Sequence, residues 1–116
     1  QHDQMIRRDW MTLIPTPNFP AYVSGHSTFS ATSAQVLKRI IGTDRVRFSG
    51  KAPDLINWPT QLAGVTRSWT SLSHAAEEGG HSREYGGIHW ESDDTEGMSM
   101  GKRIGDHVVR TMLRRA

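Results

Sequence analysis

Residues 82–93 read Ser82-Arg83-Glu84-Tyr85-Gly86-Gly87-Ile88-His89-Trp90-Glu91-Ser92-Asp93. The order sets a permanent cation, a pair of glycines, an imidazole and a carboxylate at fixed distances along the chain. Arg83 offers a planar fork of donors that suits two oxygens of a tetrahedral or trigonal anion, and it keeps its charge at any working pH. His89 can present one ring nitrogen to the central atom of such an anion, provided that its other nitrogen donates to an acceptor. Asp93, four residues on, is that acceptor if the chain turns helically between them.

Working outward, residues 71–85 (SLSHAAEEGGHSREY) predict a helix with Leu72, Ala75, Ala76 and Gly79 on one face of small residues. The Gly79-Gly80 pair costs such a helix about 1 kcal/mol per residue relative to Ala, which implies a close neighbour. After the break at Gly86 and Gly87, residues Asp93, Asp94 and Thr95 are expected to supply the N-cap of a third helix reaching about Arg114. Its inner stripe reads Gly97, Met100, Gly101, Ile104, Gly105, Val108 and Met112. Glycines spaced by four let another helix approach closely.

Upstream, Pro15, Pro17 and Pro20 fix an extended loop over residues 11–23. It leads into Ser24-Gly25-His26, after which Phe29, Ser33, Val36, Leu37, Ile40 and Ile41 recur at helical spacing until Gly42 stops the run. The loop therefore delivers Ser24 and Gly25 to a helix N-terminus, where unpaired N–H groups favour an anion. Gly25 lets the backbone come within hydrogen-bonding distance of a ligand oxygen, Ser24 adds a hydroxyl donor, and His26 stands as a proton donor or acceptor. Residues 44–69 alternate weakly and predict a hairpin excursion.

Composition limits the alternatives. The chain has 116 residues, 35% of them hydrophobic, and 11 glycines, and its mean hydropathy is −0.57. That allows one domain with little core material, so part of the core is expected from a segment or subunit outside these residues. A formal net charge of +2, with dispersed basic residues and no interleaved aromatics, gives no basis for nucleic-acid binding. Arg110, Arg114 and Arg115 read as cations complementing a helix C-terminus. The absence of Cys removes disulfides, zinc-thiolate sites and thiol nucleophiles. No run approaches the ~20 apolar residues of a membrane span.

Taken together, the two clusters resemble the superfamily that joins type 2 phosphatidic acid phosphatases, bacterial acid phosphatases and vanadium-dependent haloperoxidases. Its signature blocks are a Lys followed by Arg-Pro, a Pro-Ser-Gly-His, and Ser-Arg with five residues to His and three more to Asp. The second stands here as Val23-Ser24-Gly25-His26, with Val for Pro, and the third is complete over residues 82–93. The first is absent: Arg7 and Arg8 are followed by Asp9. The resemblance runs from residue 15 to about residue 105. Phe19-Pro20-Ala21-Tyr22, His26-Ser27-Thr28-Phe29 and Tyr85-Gly86-Gly87-Ile88-His89-Trp90 look like bacterial vanadium haloperoxidases. Phe19 falls where chloroperoxidases are similar and bromoperoxidases carry His, but one position does not set a halide preference.

The resemblance implies an all-α helical bundle with a minor hairpin, residues 1–116 being the C-terminal portion of one domain whose N-terminal helices and missing first block lie elsewhere. It implies vanadate as cofactor, with His89 coordinating vanadium, Ser24, Gly25 and Arg83 binding its equatorial oxygens, Asp93 supporting His89, and His26 handling the protons of peroxide. Peroxide and halide are then the substrates. A periplasmic or secreted location and a homo-oligomer fit the same reading.

Two other activities use the same groups. Vanadate resembles the five-coordinate transition state of phosphoryl transfer, so a phosphatase would use His89 as nucleophile on a phosphoester and His26 as general acid. A non-catalytic phosphate-binding module is the third possibility. Elsewhere the plain structural reading holds. His74 and His81 lie seven apart without a carboxylate at fixed spacing, which argues against zinc. Trp10, Trp58, Trp69 and Trp90 read as packing anchors, with Trp90 singled out because it adjoins His89. Glu77 and Glu78 read as a solvated face.

Overall fold

The computed structural model describes residues 11–52 and 64–113. Three helices, α1 (Gly25–Ile41), α2 (Leu72–Tyr85) and α3 (Glu91–Thr111), accompany a two-stranded hairpin, β1 (Phe48–Lys51) and β2 (Thr66–Trp69). The fold is thus the expected helical bundle with a minor hairpin. Among the described residues no helix is long and apolar enough to cross a membrane. The calls on Trp10, Trp58, Arg114 and Arg115 lie outside the described residues.

Each helix begins and ends where local chemistry dictates. Ser24 caps α1 by accepting from the Ser27 N–H, and Gly42 closes it at φ 83°, in the left-handed region where a Cβ is disfavoured. Ser71 caps α2 by accepting from the His74 N–H. For α3 the expected cap is displaced. The helix starts at Glu91 with Trp90 in the cap position, and Asp93 is the third helical residue, its carboxylate accepting the Trp90 N–H at 3.0 Å. Because indole has no acceptor, this is half of a reciprocal cap. Glu91, Asp93 and Asp94 fill the first turn and complement the helix dipole. The helix ends at Thr111, short of the expected Arg114.

The glycine stripe of α3 packs on α1. A Cβ on Gly97 would lie 2.7 Å from the Ser24 carbonyl oxygen, on Gly101 2.4 Å from that of Thr28, and on Gly105 2.8 Å from the Gln35 Cβ. Met100, Ile104 and Met112, expected in the same stripe, are exposed instead. The two helices are also tied by Arg39 and Gln35 donating to Asp106 at 2.7 and 2.8 Å. The close neighbours of α2 are present too, because a Cβ on Gly79 would meet Ser30 Oγ at 3.2 Å and one on Gly80 would meet Ser27 Oγ at 3.1 Å.

Among the described residues the buried apolar side chains are few: Ala31, Leu72, Ala76 and Met98. The apolar run of α1 does not form the inner face that its spacing suggests. Phe29, Leu37, Ile40 and Ile41 are exposed, whereas Ser27 and Ala31 are buried. Small residues win the inner face because α3 comes too close for a larger side chain.

The hairpin pairs antiparallel with Phe48 opposite Trp69, and their rings pack at 5.2 Å. Glu78, expected in solvent, accepts from Arg67 at 2.9 and 2.7 Å and from the Trp69 indole N–H at 3.1 Å. It fastens β2 to α2.

Candidate active site

Two segments far apart in sequence meet by a main-chain hydrogen bond. The Ser24 N–H donates to the Asp93 carbonyl oxygen at 3.0 Å, joining the start of α1 to the first turn of α3. A second device returns His89 to the end of α2. Gly87, at φ 77°, reverses the chain so that the Ile88 N–H donates to the Arg83 carbonyl at 3.2 Å and the Gly87 N–H to that of Glu84 at 2.8 Å. That φ is why glycine is needed here. The proline loop seals this turn, since the Ile14 N–H donates to the Gly86 carbonyl at 3.4 Å. A Cβ on Gly86 would lie 2.7 Å from Ile14 Cδ1.

His89 is enclosed, with its side chain 1% exposed, and the Phe19 ring stacks over it at 6.5 Å. Its Nδ1 lies 3.5 Å from Asp93 Oδ2. That is an electrostatic contact at the outer limit of a hydrogen bond, and both ring nitrogens are buried without a hydrogen-bond partner. The same carboxylate oxygen already accepts the Trp90 N–H. Arg83 Nε is likewise buried and without a partner.

His26 lies at an exposed position in the first turn of α1. Partial desolvation, then the Arg83 guanidinium, then His89 hold its imidazole below the ordinary value. At the mouth of α1 the Ser24 cap satisfies the Ser27 N–H and the Ser24 carbonyl accepts from Thr28. The N–H groups of Gly25 and His26 are left as the helix's free donors. A Cβ on Gly25 would meet nothing within 4 Å, so the side-chain direction of that residue is open.

Ser24 itself is fully buried. Its hydroxyl lies 2.7 Å from that of Ser27, and Ser27 in turn is hydrogen-bonded to the Asp94 carboxylate. An ionised carboxylate only accepts, so Ser27's one proton goes to Asp94. The Ser24 proton is the one that a ligand oxygen could compete for. Ser82 is exposed and donates to the Gly79 carbonyl of its own helix at 2.7 Å. Trp90 is 76% exposed and serves α3 through its backbone.

Reading the sequence alone missed the parts played by three residues. Phe19 was noted for its family position, not for its stacking on His89. Ser27 and Asp94, which brace Ser24 from beneath, gave no motif signal because their link spans two helices.

Three comparisons bear on this geometry. The family model described as the VCPO second helical-bundle domain matches residues 1–116. Among solved structures, one described as the first bacterial vanadium-dependent iodoperoxidase is 34% identical with a TM-score of 0.76, over 95% of this chain and 25% of that one. Holo and apo forms of a bacterial vanadium-dependent chloroperoxidase are 19% identical, with TM-scores of 0.71 and 0.68 over 85% of this chain and 22% of theirs. At that identity the likeness is one of fold. The chain spans about a quarter of the length of these solved structures. No curated protein matches it.

Proposed function

The chain belongs to the vanadium haloperoxidase superfamily, matching its second helical-bundle domain, and from that premise we propose that it carries the oxyanion-holding half of a vanadate-dependent haloperoxidase. The observation that carries the reading is the set of buried polar atoms without partners: Arg83 Nε and both nitrogens of His89. Each buried donor or acceptor left unpaired costs about 1–3 kcal/mol, and an oxyanion with a Lewis-acidic centre would satisfy Arg83 Nε and one nitrogen of His89, the other facing Asp93.

These residues fit vanadate. His89 would hold vanadium through one ring nitrogen, with Asp93 steadying the other across the observed 3.5 Å. Arg83 and the amides of Gly25 and His26 would hold its oxygens, and Ser24 would donate its hydroxyl to one of them. When bound, vanadate supplies an electrophilic centre that activates peroxide toward halide.

The chain's own groups do the rest. Arg83 neutralises anionic charge without a proton of its own to lose. His26, whose imidazole is held below its ordinary value by partial desolvation and by Arg83, would accept a peroxide proton at a ring nitrogen and return it to departing water. Phe19 shields the His89 ring from water. Iodide is the halide proposed first, because the 34% identical structure is described as an iodoperoxidase. Residues 1–116 are taken as the C-terminal portion of the catalytic domain, the Lys and Arg-Pro block being supplied from outside them.

The test is a paired assay of the natural polypeptide that carries residues 1–116. Peroxide-dependent iodide oxidation should require added orthovanadate and be abolished by His89→Ala. Turnover of p-nitrophenyl phosphate without vanadate, inhibited when vanadate is added, would replace this reading with the phosphatase. Oxyanion binding with neither activity would leave a binding module.

A further inference from the structure

A second cluster of metal-ligating groups lies at the interface of α2 and α3, outside the oxyanion residues. His81 and Glu84, three apart, share one face of α2, and Asp94 reaches them from the first turn of α3. One ligand atom from each falls within 4.8 Å of the others. His81 Nε2 stands 3.6 Å from Asp94 Oδ2. Ligands on adjacent corners of a tetrahedral ion, bound at ~2.0–2.2 Å, are separated by roughly 3.3–3.6 Å, so the His81–Asp94 pair already stands at a ligand spacing and Glu84 closes in by a side-chain adjustment.

Three further features point to a cation here. Asp94 is 4% exposed, and its Oδ1 is taken by Ser27 while Oδ2 faces His81. Glu84 Oε1 is sealed from solvent and has no hydrogen-bond partner. Glu84 and Asp94 set two carboxylates side by side beside the His81 imidazole, a mixed oxygen and nitrogen donor set that suits a divalent ion. Gly80 makes the crowding possible, because a Cβ there would lie 2.0 Å from Asp94 Oδ1. His81 is half exposed, which leaves an entry path and an open fourth position for water.

We propose that His81, Glu84 and Asp94 form a binding site for a divalent transition-metal cation of the zinc type, which clasps α2 to α3. The site shares Asp94 with the Ser27–Ser24 link beneath the oxyanion residues, but its test reads metal binding in the absence of vanadate.

The experiment uses Co2+ as a spectroscopic probe and Zn2+ by calorimetry, on metal-free protein without vanadate. Co2+ should give the visible absorption of a low-coordinate site with a nitrogen ligand, Zn2+ should displace it, and Zn2+ should raise the melting temperature in a concentration-dependent way. His81→Gln, at a half-exposed position, should leave the fold intact by circular dichroism and weaken Zn2+ binding at least about tenfold. Glu84→Gln should do likewise. His74→Gln, on the same helix, should bind as the parent does. No Co2+ spectrum at millimolar metal, or equal Zn2+ affinity in His81→Gln and the parent, overturns the proposal.

Discussion

The Asp93 side chain does two jobs with one oxygen, accepting the Trp90 N–H and facing His89 Nδ1. Asp93→Ala should therefore lose about 1 kcal/mol of stability through the cap alone. Asp93→Asn, whose amide still accepts, should lose less, as urea denaturation would show. His26 carries a second test. Its folded imidazole lies below the ordinary 6.5, so its contribution to stability is present above that value and is lost as pH falls through the lowered one. Arg83→Gln removes a positive neighbour but not the burial, so the His26 midpoint should rise part of the way in an NMR titration of the ligand-free protein. The type and spacing of Arg83, His89 and Asp93 were legible in the sequence. The double use of Asp93 was not, because it follows from where α3 begins.

The helices show why some boundaries could be read and others could not. α1 is bracketed by Ser24 and Gly42, whose side-chain and backbone preferences act locally. The start of α3 is set by the turn at Gly87 and by Ser24 N–H bonding Asp93, which are tertiary events, so three plausible capping residues misled the reading. The exposed run from Phe29 to Ile41 misled it too: spacing reports one face, but the approach of Gly97, Gly101 and Gly105 decides which face is inside. Gly101→Ala should accordingly destabilise by on the order of 2–3 kcal/mol in thermal melts, despite the ~1 kcal/mol that Ala adds to helix propensity. Gly25→Ala is the contrasting case. Nothing lies within 4 Å of its Cβ, so the melting temperature should hold while affinity for orthovanadate falls.

For the molecule as a whole, the described residues bury few apolar side chains, Ala31, Leu72, Ala76 and Met98, so a bound ligand should supply a large share of stability. Orthovanadate at a hundred times its Kd should add about 2.7 kcal/mol to unfolding. Arg83→Gln should show little of that gain in the same denaturation curves. The bond from Ser24 to Asp93 gives this linkage a practical side. Neither segment can grip an anion until two stretches separated by most of the polypeptide have docked, so retained ligand counts only correctly assembled molecules. A warmed sample should shed vanadate before far-ultraviolet dichroism registers any loss of helix, and that early release would serve as the first sign of damage.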